Sequence, residues 1–202
     1  MSPRPYSMEK RDAVASETRE RILEATRQIL SDESEVQLSM EAIARRADVS
    51  RLTIYYQFKS RPGLLEALYD YLAVRGNMRQ MAEVFHEPDP YAALDNMVSV
   101  FVGFWSSDRV VIRRLRAMAA LDPEIREGIE SRDARRHHIA GEILKRMAVA
   151  GKKKYDDERR IATADVIATL TGFATYDALA TAGHGEKEII ATISRLVHFV
   201  AS

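Results

Sequence analysis

The sequence predicts an all-α protein, and three observations carry that reading. Apolar residues recur at spacings of three and four through most of the chain, while the alternation expected of a half-buried strand occurs nowhere. Residues that start helices stand directly before several of these runs, among them Ser39, Ser50, Ser60 and Asp122. Two of the runs are short and joined by a tight break, the spacing of a helix-turn-helix. About nine helices are expected, the first three forming a small N-terminal domain and the others a larger helical one.

Residues 1–16 hold Pro3, Pro5 and scattered charges without apolar periodicity, so a mobile arm is expected there. The first helix is expected over Glu17–Ser31, with Ile22, Leu23, Ala25, Thr26, Ile29 and Leu30 on its inner face. A polar loop, Asp32 to Gln37, follows, and Leu38 anchors the entry to the second helix. Ser39 caps that helix, and Ile43, Ala44 and Ala47 share one side of it. Ser50 caps the third, which buries Ile54 and Phe58, four residues apart. Between the two, Ala47 to Val49 must turn sharply through a left-handed residue, and Asp48 is one of the few non-glycine types that tolerates this. These elements place the helix-turn-helix domain at residues 17–62 and the motif itself at 39–58.

The outer face of the third helix is where the chemistry lies. Arg51, Leu52, Tyr55, Tyr56 and Lys59 form one stripe opposite Ile54 and Phe58. Arginine pairs bidentately with guanine in the major groove, whereas tyrosine and lysine suit phosphate oxygens. Singly, each residue would read as solvated surface or core. Together on one face of a capped second helix of the motif, they read as a DNA-binding surface, to which Ser39, Arg46, Ser50 and Thr53 belong as further candidates. The chain as a whole is neutral, with 30 basic and 30 acidic residues. Between Ile43 and Arg61, however, Arg45, Arg46, Arg51, Lys59 and Arg61 face a single acidic residue, Asp48. In the N-terminal arm, Arg4, Lys10 and Arg11 would suit DNA phosphates or have no role at all.

Ser60 caps a fourth helix that tolerates Pro62 in its first turn and buries Leu64, Leu65, Leu68, Tyr69 and Leu72. It is expected to continue toward Ala82 or Phe85, roughly 30 Å, far enough to tie the third helix to a second domain.

MEAIARRADVS, TIYYQFKS and LLEALYDYL resemble the TetR family of bacterial transcriptional regulators, densely over about Thr18 to Leu72 and by length beyond it. The resemblance implies a homodimer on a palindromic operator in double-stranded DNA, and a small-molecule effector bound between helices of the central region. This chain has Asp48 where the family usually has Gly in the turn, and Leu52 where the family has a small residue. The second departure changes the groove-facing surface, so no relative's operator can be borrowed.

The break Glu87 to Pro90 separates a helix over Tyr91–Ser107 from what precedes it, and Val110 to Leu121 forms the next. Asp122-Pro123 opens a long helix ending near Gly151, a plausible C-terminal cap. A basic loop, Lys152 to Lys154, leads to an apolar helix over Asp156–Ala182 and a last one over Glu186–Val200. Tyr91, Met97, Phe101, Phe104, Trp105 and Met118 read as core by composition. The resemblance makes them a candidate effector wall, suited to an apolar or amphipathic ligand, with Arg113, Arg114 or Arg116 available for a carboxylate. The last two helices are more apolar than one domain needs. Leu170, Phe173, Ile189, Ile193 and Leu196 are therefore expected in a four-helix dimer interface, as the resemblance also implies, the alternative being that they cap their own core. Residues 63–202 then form an effector-binding and dimerisation domain.

The chain has no cysteine, which excludes disulfides, thiol catalysis and cysteine-ligated zinc. His137 and His138 point about 100° apart on a helix, and no phosphate loop or nucleophile elbow occurs. Neither metal, cofactor nor enzymatic activity is expected. No run approaches 18 apolar residues and no signal-peptide pattern is seen, so a cytoplasmic protein without membrane contact is expected. The leading reading is a repressor released by a small molecule. A DNA-bound adaptor answering to a protein partner comes second, and a helical enzyme third.

Overall fold

The computed structural model describes residues 5–32, 37–151 and 156–202, residues 5–12 by backbone alone, and in them the protein is all-α. Eleven α-helices and one 3-10 turn are present among the described residues. They are α1 (Pro5–Ser31), α2 (Met40–Ala47), α3 (Arg51–Phe58), α4 (Arg61–Arg75), α5 (Met81–His86), α6 (Pro90–Ser107), α7 (Arg109–Met118), α8 (Pro123–Val149), α9 (Asp157–Leu170), α10 (Phe173–Thr181) and α11 (Glu186–Ala201). Arg4, the side chains of Lys10 and Arg11, the middle of the loop before α2 and the basic loop at 152–154 lie outside the described residues.

Three boundaries differ from the sequence expectation. Helix α1 starts at Pro5 rather than Glu17, so residues 5–16 of the expected arm are helical. Proline suits a first helical turn, and the residues after it are good helix formers even without an apolar period. Helix α4 stops at Arg75 because Asn77 takes a left-handed conformation (φ 56°), and α5 resumes only after the 3-10 turn Met78–Gln80. The helix expected over 156–182 breaks at Thr171 and Gly172, the latter extended at ψ 159°. Distant side chains take up carbonyls near that break. The Trp105 indole donates to the Thr171 carbonyl at 2.9 Å and Arg136 Nε to that of Ala168 at 3.0 Å. These two interruptions turn nine expected helices into eleven.

Buried side chains form two clusters. The first joins Ile22, Ile29 and Leu30 of α1 to Ile43, Ile54, Phe58 and the Leu64, Leu68 and Leu72 face of α4, and it takes Val111 and Leu115 from α7 and Ile125 from α8. The second is built by α5, α6 and α8–α11, with Ile112 added from α7. Phe173, Ile189 and Ile193 belong to this second cluster, Ile193 at 0 % exposure. Their apolar surface is buried within their own chain rather than left on its outside. Leu170 is half-buried against the same cluster, and of the five residues only Leu196 is exposed.

The junction between α3 and α4 has no slack. Lys59 sits at φ 68°, ψ −42°, and Ser60 N donates to the Phe58 carbonyl at 2.8 Å. This lies close to a three-residue γ-turn of the rare, strained hand. Ser60 then caps α4 by accepting from Gly63 N at 3.1 Å. A Cβ at Gly63 would overlap the Phe58 carbonyl oxygen, so glycine is what lets the two helices approach this closely.

Ion pairs tie the two clusters together around Asp108, buried between α6 and α7. Arg27 of α1 reaches it at 2.8 Å and Arg75 of α4 at 3.1 Å. Arg27 also pairs with Glu24 at 2.7 Å, and Tyr71 donates to Glu24 at 2.8 Å. Lower down, Arg61 grips Asp122 at 2.5 Å and Glu124, which fixes the first turn of α4 to the start of α8.

Two outcomes follow from these contacts. Gly63→Ala is expected to cost about 1–3 kcal/mol of stability by overpacking against the Phe58 carbonyl, measured by urea unfolding. Glu24 is held at about 2, from its ordinary 4.5, chiefly by the Arg27 guanidinium and also by the Tyr71 hydroxyl. A depressed carboxyl contributes stability that is present above its unfolded value and lost as pH falls toward the folded one. Thermal unfolding of Glu24→Gln should therefore fall less steeply than wild type between pH 5 and about 2. Parallel acid limbs would show that Glu24 adds nothing.

Candidate nucleic-acid interface and effector cavity

The helix-turn-helix is built as its caps dictate. Ser39 accepts from Ala42 N at 3.1 Å and Ser50 from Thr53 N at 3.0 Å. Asp48 turns the chain in the left-handed region at φ 50°, ψ 54°. Two arginines of α1, not anticipated from sequence, cap the ends of the motif: Arg21 donates to the Ala47 carbonyl and Arg19 to that of Gln57, each at 3.0 Å. Arg19 also lies 4.3 Å above the Phe58 ring. The terminal carbonyls of α2 and α3 are thus satisfied by cations, and the angle between the two helices is set from α1.

With Ile54 and Phe58 buried, α3 turns Arg51, Leu52, Tyr55, Tyr56 and Lys59 outward, Leu52 at 77 % and Tyr56 at 74 % exposure. The Ser50 and Thr53 hydroxyls bond to each other at 2.8 Å at the head of this stripe, and Ser39 is half-buried at the head of α2. Lys59 donates to the Tyr56 carbonyl at 3.2 Å and lies 5.2 Å over its ring. Arg51 reaches back to Glu41 of α2 at 2.5 Å. Arg46 turns instead toward Asp32 at the end of α1, 3.5 Å away. With Arg61 occupied by Asp122 and Glu124, three of the five basic residues that marked this stretch in the sequence have acidic partners from outside it. Arg45 and Lys59 have none among the described residues.

A cavity of about 210 Å³ lies between α4, α6, α7 and α8. Phe101, Phe104 and Trp105 line it, as do Tyr69, Leu72 and Ala73 of α4, Met78, and Ile112 and Leu115 of α7. Three expected wall residues lie elsewhere. Tyr91 begins α6, about 21 Å along the axis from Trp105, with its ring 5.4 Å from His198. Met97 is sealed in the second cluster, and Met118 packs on the first.

The polar wall comes largely from α8, where Arg132, Asp133, Arg136 and Ile139 share a face. Charges at helical spacing among apolar residues were the available sequence signal for it. Asp133 accepts from Arg116 Nη2 and Arg136 Nη1, both at 2.9 Å. Burial opposes the Asp133 charge, yet the two guanidiniums outweigh it and hold the carboxyl below its usual range. Burial pushes the Arg136 guanidinium down in turn. Both arginines lie against the Trp105 ring, at 5.7 and 5.8 Å. Of the three arginines proposed to receive a ligand, only Arg116 faces the cavity. Arg113 pairs with Asp177 at 2.7 Å, and Arg114 donates to the Ile29 and Asp32 carbonyls, docking α7 on the end of α1. Tyr69 donates to the Ile125 carbonyl at 3.1 Å, and burial pushes its phenol up to about 12.

Among the described residues no three His, Asp or Glu side chains gather as a metal cluster, and no helix is long and apolar enough to cross a membrane.

Residues 22–68 match the family described as bacterial regulatory proteins, tetR family. No curated protein matches the chain. Solved structures share the fold over nearly its whole length. A putative TetR-family transcriptional regulator from Syntrophomonas wolfei superimposes with a TM-score of 0.75 at 15% identity, covering 92% of this chain and 95% of that one. One from Rhodococcus sp. gives 0.74 at 18%, covering 92% and 100%. A putative transcriptional regulator from Saccharomonospora viridis in complex with choline gives 0.68 at 19%, covering 91% and 96%. At these identities the structural likeness speaks for the fold alone.

Proposed function

We propose, from the match of residues 22–68 to the bacterial regulatory proteins of the tetR family and from the shared fold, that the chain is a homodimeric repressor of that family, released from a palindromic operator by an apolar or amphipathic small molecule. Members of this family are transcriptional regulators rather than enzymes. The reading assigns residues 17–62 to the DNA reader and 63–202 to effector binding and dimerisation, with cytoplasmic DNA as the target. The observation that carries it is the strained turn at Lys59, which joins a helix bearing an exposed Arg, Leu, Tyr, Tyr, Lys stripe directly to a helix that lines a cavity. The cavity also favours a small molecule over a protein partner, and the Saccharomonospora viridis neighbour was solved with choline.

Release works through α4 and α7 in this reading. Both line the cavity, α4 continues α3, and Arg114 of α7 holds the end of α1. A ligand that prefers a displaced arrangement of these helices by about 5.5 kcal/mol moves the population from 1:99 to 99:1. By linkage, operator DNA must then weaken ligand binding by the factor that ligand weakens DNA binding. Dimerisation is assigned to the outer faces of the packed helices α9 and α11, where Ile161, Val166, Leu196 and Phe199 remain exposed, Phe199 at 79 %.

Selection of binding sites from random duplex DNA by the purified protein tests the reading, which requires a two-fold symmetric site. Arg51→Ala should relax preference at one base pair per half-site, costing about 1–3 kcal/mol. Lys59→Ala should weaken all sequences alike and reduce the salt slope by about one unit. Equal losses without a change in base preference would remove Arg51 from base reading. Phe199→Asp should yield a folded monomer by light scattering with operator binding lost, and a dimer that persists would move the interface elsewhere.

A further inference from the structure

The charge lining of the cavity narrows the effector class, an argument that rests on the effector reading above. Asp133 is bracketed by two guanidiniums, with Arg116 bidentate at 2.9 and 3.3 Å and Arg136 sharing the same Oδ1 at 2.9 Å. One carboxylate thus answers two cations, and Arg136 is buried. Its other hydrogen bond is from Nε to the Ala168 carbonyl, which carries no charge. Arg132, further along the wall, is already answered by Glu66 and Asp70 of α4, at 3.0 and 3.5 Å. An excess positive charge, to which Arg135 adds, therefore lines a chamber otherwise walled by Tyr69, Asp70, Phe101, Phe104, Trp105 and aliphatic side chains. Desolvation makes such a charge costly until an anion meets it.

We infer that the effector is an amphipathic carboxylate, its apolar body against Trp105 and its carboxylate on Arg116 and Arg136, where it competes with Asp133. A quaternary ammonium suits this cavity poorly, because guanidiniums already lie against the Trp105 ring and would repel it. Volume sets the size. An apolar cavity of about 150 Å³ holds benzene, so about 210 Å³ takes one ring with a short chain.

Trp105 is the only tryptophan in the chain and stands in the cavity wall, so its fluorescence reports occupancy. The full-length protein is titrated with 4-phenylbutyrate, 4-phenylbutyramide and 4-phenylbutyltrimethylammonium, which share one apolar body and differ in charge. The carboxylate should bind at least tenfold more tightly than the amide, with the ammonium weakest. Arg116→Gln should remove the preference. Asp133→Asn, which takes away the competing anion while keeping the shape, should tighten the carboxylate several-fold and leave the amide unchanged; it keeps the test decisive if Arg116→Gln does not fold. Equal binding of acid and amide, tighter binding of the ammonium, or no binding by any of the three overturns the inference. Operator selection is run without ligand, so a protein that selects a symmetric site yet shows no charge preference retains the repressor reading and loses only this one.

Discussion

The hydrogen bond from Ser60 N to the Phe58 carbonyl is the constraint on which the rest of the molecule depends. A strained three-residue turn carries almost no conformational freedom, so α3 and α4 behave as one bent rod rather than two helices on a tether. Gly63 lets the first turn of α4 lie against the last carbonyls of α3, and Arg61 pins that turn to Asp122 and Glu124. Any shift of α4 against α8 is therefore a rotation of the exposed stripe.

The second constraint is how the cavity shares walls with the DNA-binding part. Packed interfaces tend to hold discrete arrangements rather than deform smoothly, and α4 and α7 each serve two packed faces. Val111 and Leu115 of α7 help to close the N-terminal cluster, while Ile112, Leu115 and Arg116 line the cavity. The polar ties between the halves, centred on Asp108, are short and partly buried. Such pairs break at a definite geometry, so they favour two discrete states over a continuum.

Much of this was legible in the sequence, for reasons that also explain what was not. Ser39, Ser50, Ser60 and Asp48 announce themselves because caps and left-handed turns are local devices, decided within four residues. The outward stripe of α3 followed from spacing alone. The break at Thr171 was invisible because Trp105 and Arg136 take up carbonyls near it from far away in sequence. Tyr91, Met97 and Met118 lie outside the cavity lining, since apolar periodicity marks burial without saying which chamber is filled. Phe173, Ile189 and Ile193 show the same ambiguity between a chain's own core and a shared one. The charge excess around the motif was read correctly as composition, but partners such as Asp122, Glu124, Glu41 and Asp32 cannot be assigned before the fold is known.

The Arg51–Glu41 pair bears on how such a protein searches a chromosome. A guanidinium already held by a carboxylate releases few counterions when it meets an arbitrary phosphate, so it adds little to indiscriminate attraction. In the proposed reading of Arg51, leaving Glu41 is compensated where a guanine edge offers two acceptors at once. Random sequence then holds the protein weakly and briefly, and fewer copies are sequestered on the competing sites of a genome. With a formal net charge of zero, the whole molecule adds no long-range pull of its own. Under the repressor proposal, occupancy at low copy number is then set by the contrast between right and wrong sites rather than by strength of binding.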